Sequence, residues 1–248
     1  MSITLITFIL LAIFLGAFIR TYFGFGEALI SMPLLAIIGL DINSSISIIG
    51  LAGLTVAIFN ILSELKHIKY KILSLMLCSS IIGIPIGIYI LHHFNTAIIQ
   101  IILALFLLLY GTYAFCKRQF FKNNRKLVLQ SPYWSTIAGI ISGILGSLYN
   151  SHGVPIVIYA TLSKWPIKTF KSTLQAHFLL TAIFVVIGQA SGNVWTDKTI
   201  PIYLMSLPLL LLATIIGRYL TIKTPAHHFE KWVYLLIAAL GLLLLFSI

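Results

Sequence analysis

Residues Arg20–Pro33 read RTYFGFGEALISMP, and the reading of this stretch decides the fold. It sets Arg20, Gly24, Gly26 and Glu27 between two apolar runs, Ile3–Tyr22 and Ala28–Leu40. In a water-soluble protein it would be a surface loop. The rest of the chain excludes that: of 248 residues 60% are hydrophobic and 8% charged, with a mean hydropathy of +1.07. No soluble core of this size hides so much apolar side chain. The apolar runs are roughly 18 to 22 residues long, the length a helix needs to cross about 30 Å of hydrocarbon, and they lack the short alternation of strands. A helix satisfies its own backbone in lipid, so the fold is read as an all-α, polytopic integral membrane helical bundle.

The formal net charge of +11 does not point to nucleic acid, because the Lys and Arg residues lie almost wholly in short loops between apolar runs. That distribution reports topology. Cys78 lies inside an apolar run and Cys116 beside a basic loop, which excludes a disulfide framework and a metal-type spacing. The run Ile3–Ile19 has no basic segment before it, so it is read as a retained span rather than a signal peptide.

The basic stretch CKRQFFKNNRK, Cys116–Lys126, has five apolar segments on each side. It divides the chain into a first membrane repeat (1–116), a cytoplasmic linker (117–132) and a second repeat (133–248). A shift of 127 residues sets Ala12 and Gly16 over Gly139 and Gly143, and Gly26 over Gly153. A shift of 130 sets Gly83 and Gly87 over Ala213 and Gly217, and Gly111 over Gly241. Small residues four apart let membrane helices approach closely, so these matched pairs are expected at helix contacts. Two segments, Ala28–Leu40 and Gly153–Ser163, rise only roughly 20 and 16 Å and cannot span the core unaided. Each follows a polar or glycine break.

Loop charge then sets orientation. Lys66, Lys69 and Lys71, the central linker, Lys164 to Lys171, and Lys223 to Lys231 all fall on the cytoplasmic side if each short segment, with the helix before it, returns the chain to the side it left. Both termini are then outside. Each repeat holds a broken or re-entrant helix pair plus three transmembrane helices, and the two repeats are inverted, an architecture of secondary transporters.

The second break, Leu145–Pro155, reads LGSLYNSHGVP. Gly24 and Gly26 in the first break, and Asn150, Ser151, His152 and Gly153 in the second, precede short helices whose positive ends attract anions. If the repeats are inverted, both ends converge on one solute. The competing reading is that the glycines serve packing and that Asn150 and His152 satisfy freed backbone groups. Arg20 is costly inside a membrane, so it either pairs with Glu27 or contacts the solute. His177, Gln175 and Asn60 are candidates for a proton relay or for polar contacts between helices. Pro85 and Pro208 occupy corresponding segments, as shape or as hinges. His92/His93 and His227/His228 are adjacent pairs at the membrane edge without further ligands, and are not read as metal sites. No nucleophile elbow, phosphate loop or zinc-protease helix is present in the sequence.

The segments FGFGEALISMPLL, GLDINSSISIIG, GIPIG, LLLYG and AGIISGILGSLYNSHGVP resemble the TauE/SafE family of sulfur-anion exporters over nearly the whole chain. The resemblance implies a duplicated membrane module exporting sulfite, sulfoacetate or a similar anion across the plasma membrane, with the family's glycine-rich loops falling on Gly24, Gly26 and Gly153. The chain departs from the family's denser glycine runs at Phe25, Glu27, Asn150, Ser151 and His152, which leaves fewer bare amides and sets an acid at a helix start. The expectation is therefore a multi-pass plasma-membrane transporter of a small anion working by alternating access. Its partners are that solute and the lipid bilayer, with no nucleic acid and no cofactor, and a homo-oligomer is compatible with it. The alternative is a membrane scaffold or assembly factor that does not transport.

Overall fold

The structure, a computed structural model, describes residues 2–61, 65–120, 131–163, 165–223 and 230–247. Glu64, Lys164, His227, His228 and the centre of the basic linker lie outside the described residues. Among the described residues ten α-helices follow one another: α1 Ile3–Phe23, α2 Glu27–Ile38, α3 Ile42–Ile61, α4 Tyr70–His93, α5 Thr96–Phe120, α6 Pro132–Tyr149, α7 Gly153–Leu162, α8 Ile167–Ser191, α9 Thr199–Lys223 and α10 Glu230–Ser247. No strand occurs among the described residues. Six of the helices (α1, α3, α4, α5, α8 and α9) are long and apolar enough to cross a membrane, and the chain is an all-helical membrane protein.

Helix ends follow local chemistry. Ser2 and Ser131 accept hydrogen bonds from the Leu5 and Tyr133 amides at the starts of α1 and α6, which satisfies donors the helix leaves open. α8 begins three residues before the apolar run that marks it, because Pro166 supplies a fixed φ of −55° at its cap. α5 runs on to Phe120 through Lys117 to Gln119, residues that favour a helix as well as any apolar ones do.

The halves interlock. α1 of the first half packs on α9 of the second and α4 on α6, while α5 pairs with α10 and α3 with α8. The small residues marked in the sequence sit at these crossings. A Cβ on Gly143 would run into the Ser80 carbonyl oxygen and one on Gly83 into that of Ile140, while Ser80 Oγ donates to the Gly139 carbonyl at 2.9 Å. Gly217 meets Thr21 of α1, and Gly111 and Gly241 lie against α10 and α5 respectively. Gly16 instead faces Ser31 of α2, whose Oγ donates to the Ala12 carbonyl at 2.9 Å. α3 and α8 form the centre, with 67% and 56% of their spans buried against 33–39% in the other four. Residues such as Ile82, Leu109, Leu212 and Leu243 are exposed on the outer helices, where lipid replaces water as their solvent.

At one end of the bundle Asp41 Oδ1 accepts the Ser44 amide at 2.8 Å, and its Oδ2 accepts Lys198 Nζ at 2.9 Å. Ser44 and Ser47 hydrogen-bond Thr196 and Thr199 at 2.6 and 2.7 Å, joining the start of α3 to the start of α9. Burial alone would raise the Asp41 pKa, but hydrogen bonds from Lys198 and Ser44 and the Lys198 charge outweigh it and leave the carboxyl below its ordinary value. Because the folded pKa is depressed, the stabilisation is present above the unfolded value of about 4 and is lost as pH falls through the folded value. Both side chains are about half exposed, so the pair contributes at most about 0.5–1 kcal/mol. Asp41→Asn is expected to lower thermal stability in detergent slightly at pH 7, and the two melting curves should converge below about pH 4.

Candidate functional site

α1 carries Arg20 into its last turn and ends at Gly24, whose φ of +87° lets its amide return to the Arg20 carbonyl at 2.7 Å. Gly26, at φ +99°, turns the chain into α2. These are left-handed conformations that a side chain strains, so glycine is the residue the break requires. The second break is built with other residues. Asn150, at φ +54°, caps α6 with its amide on the Gly146 carbonyl at 2.9 Å. The break sits one residue away from the register of the small-residue match, since Asn150 rather than Ser151 takes the cap position that Gly24 holds. Ser142 Oγ donates to the His152 carbonyl at 2.6 Å, as Ser31 does to Ala12 in the first half. Asn150 Nδ2 donates to the Ile46 carbonyl at 2.7 Å and its Oδ1 accepts Gln189 Nε2 at 3.2 Å, which holds the break against α3 and α8.

The two breaks meet. One small, partly open cavity, of about 20 Å³, is lined by Arg20 and Phe25–Leu29 from the first break, Asn150–Val154 from the second, and Phe178 of α8. The starts of α2 and α7 both border it, and their positive ends favour an anion. Arg20 Nη1 donates to Glu27 Oε2 at 2.7 Å and to the Gly53 carbonyl at 2.9 Å, with both charged side chains 4–5% exposed. The pair with Glu27, one of the two roles open to Arg20 from the sequence, is formed, and Arg20 also borders the cavity. A Cβ on Gly53 would come within 3.0 Å of Arg20 Nη1 and 3.1 Å of Glu27 Oε2, so α3 needs glycine there to approach the pair. The Arg20 guanidinium lies over the Phe178 ring at 5.6 Å, and His152 packs edge-on to the same ring at 5.4 Å. Arg20 Nε and Nη2, Glu27 Oε1 and His152 Nδ1 are buried without a hydrogen-bond partner.

Of the residues expected from sequence, Arg20, Gly26, Glu27, Asn150, Ser151, His152 and Gly153 line the cavity together. Gly24 lies behind it, its carbonyl accepting Gln175 Nε2 at 3.2 Å. His177 is buried beside the α4 to α6 crossing, 3.3 Å from Ser80 Oγ and 3.2 Å from Thr181 Oγ1. Asn60 is buried near the end of α3, away from the cavity. His92 Nε2 lies 2.6 Å from the Gly192 carbonyl. Sequence reasoning missed Phe25, Phe178 and Gly53. A phenylalanine or glycine in an apolar span looks the same whether it faces lipid, a neighbour or a cavity, and for Phe178 adjacency to His177 was the one available signal.

A family model described as "Sulfite exporter TauE/SafE" matches residues 9–244. No curated protein and no solved structure matches the chain.

Proposed function

Because this chain belongs to the sulfite exporter TauE/SafE family, a family of membrane transporters, we propose that it exports sulfite or a related sulfur-containing or organic anion by alternating access. The observation that carries the reading is the meeting of two helix breaks, one from each half of the sequence, at a single cavity holding Arg20. A scaffold has no use for buried, unpartnered donors beside two helix starts, because each costs desolvation without return. The contact pattern adds support: α1 on α9 and α4 on α6 are the same pairing with the halves exchanged, as two inverted repeats around one site would require. In this reading the first and second repeats rock against each other, the protein lies in the plasma membrane with both termini outside, and the basic linker is cytoplasmic. A membrane potential negative inside drives a monoanion outward by about 2.3 kcal/mol per 100 mV.

The test is flux of radiolabelled sulfite, thiosulfate, sulfoacetate and an organic acid from liposomes holding the purified protein, with and without an imposed potential. Gly26→Leu strains a left-handed position and Asn150→Leu removes the hydrogen bonds to Ile46 and Gln189. Each is expected to lower flux at least about tenfold. Absence of flux for every anion leaves the scaffold as the better account. Flux that survives both substitutions keeps transport and discards this site.

A further inference from the structure

The transport reading says that the cavity takes an anion; the side chains around it also say how much charge that anion carries. Arg20 makes both of its hydrogen bonds, to Glu27 and to the Gly53 carbonyl, through one nitrogen, Nη1. The two donors left over, Nε and Nη2, form the other edge of the guanidinium, and both are buried without a partner. Their N–H groups run parallel, at a spacing that matches two oxygens on one carbon or sulfur atom. An oxyanion with two adjacent oxygens is the ligand that completes this edge.

Its charge is limited by Glu27. The carboxylate shares the cavity wall, is buried, and has Oε1 free of any partner. Arg20 and Glu27 cancel, and beside a neutral His152 imidazole the positive field that remains is that of the starts of α2 and α7, about half an elementary charge each. One negative charge balances this field. A second would be placed beside the Glu27 carboxylate in a site poorly screened by water, where like charges repel strongly. Phe25 and Phe178 on the wall give the solute apolar contact in place of the hydration shell that a dianion holds most tightly.

We propose that Glu27 is a charge filter, so that the site accepts monovalent oxyanions such as a sulfonate, hydrogensulfite or a carboxylate and rejects divalent ones. The proposal rests on the transport reading above. Its test is flux through the full-length protein in liposomes at zero potential, with methanesulfonate and acetate as monovalent probes and sulfate and thiosulfate as divalent ones. Wild type is expected to carry the monovalent probes at least about tenfold faster. Glu27→Gln is expected to reduce that ratio at least about tenfold by raising sulfate flux, while Glu27→Asp, which keeps the charge, retains the preference. Sulfate flux equal to methanesulfonate flux in wild type overturns the filter and leaves transport intact, and it needs no variant to be folded. A Glu27→Gln protein that folds and keeps the wild-type ratio overturns it equally. Flux of no probe overturns the transport reading and the filter together.

Discussion

Arg20→Gln is expected to abolish transport and to lower stability by about 3–5 kcal/mol, whereas Arg20→Gln combined with Glu27→Gln recovers most of the stability and none of the transport. The asymmetry follows from burial. Glu27 is 4% exposed and one of its oxygens already lacks a partner. Removing Arg20 takes the 2.7 Å bond from the other oxygen and leaves a bare carboxylate where neither water nor lipid solvates it. Replacing both residues removes the charge along with its partner, and paired neutral groups of similar size are far less costly than one orphaned ion. Transport does not return, because the parallel Nε and Nη2 donors are gone in both proteins. Thermal unfolding in detergent checks the first half of this expectation and liposome flux the second. A single variant as stable as the double one would show that the pair is not coupled.

Gly143→Val is expected to produce the other large effect, a loss of roughly 3 kcal/mol or more that removes most of the folded protein from a size-exclusion profile. The space at Gly143 is taken by backbone: the Ser80 carbonyl oxygen lies where a Cβ would sit, and Gly83 Cα is 3.0 Å from that point. A side chain can rotate away, but a helix backbone yields only by moving the helix. Separating α4 from α6 also breaks the 2.9 Å bond from Ser80 to the Gly139 carbonyl and loosens the wall that holds His177. Gly143→Ala is expected to fall between the two, and Ile82→Ala, at a site 62% exposed on the outer face of α4, to change little. A stable Gly143→Val protein would mean that the crossing tolerates more space than its geometry implies.

The membrane fold was legible at the level of elements. Apolar run length located the helices within a few residues, and the two segments too short to span are α2 and α7. Both breaks were also legible, because Gly24–Gly26 and Asn150–His152 are polar or conformationally permissive stretches in an otherwise apolar background. Composition and loop charge are local properties, and a lipid solvent makes them decisive: a polar interruption inside a membrane stands out for the same reason that it is costly there.

The choice of partners was not legible. Gly83 and Gly143 are both recognisable as contact residues, but nothing in either segment says that they meet each other, or that Gly217 meets Thr21 while Gly16 meets Ser31. In a soluble protein the buried face of a helix betrays itself by contrast with a polar one. Here lipid and protein interior are equally apolar, so that contrast disappears and helices associate through shape and a few hydrogen bonds instead. Gly53 was invisible for this reason and Phe178 nearly so, as was the partition of Arg20 between Glu27 on one nitrogen and buried, unpartnered donors on its other edge. The sequence by itself therefore determined that the chain is a helical membrane protein broken at two places, because hydrocarbon length and backbone satisfaction leave no other solution. Only the tertiary structure brought the two breaks to one cavity, because the close approach of backbones across the interlocked halves depends on the three-dimensional fit of small residues.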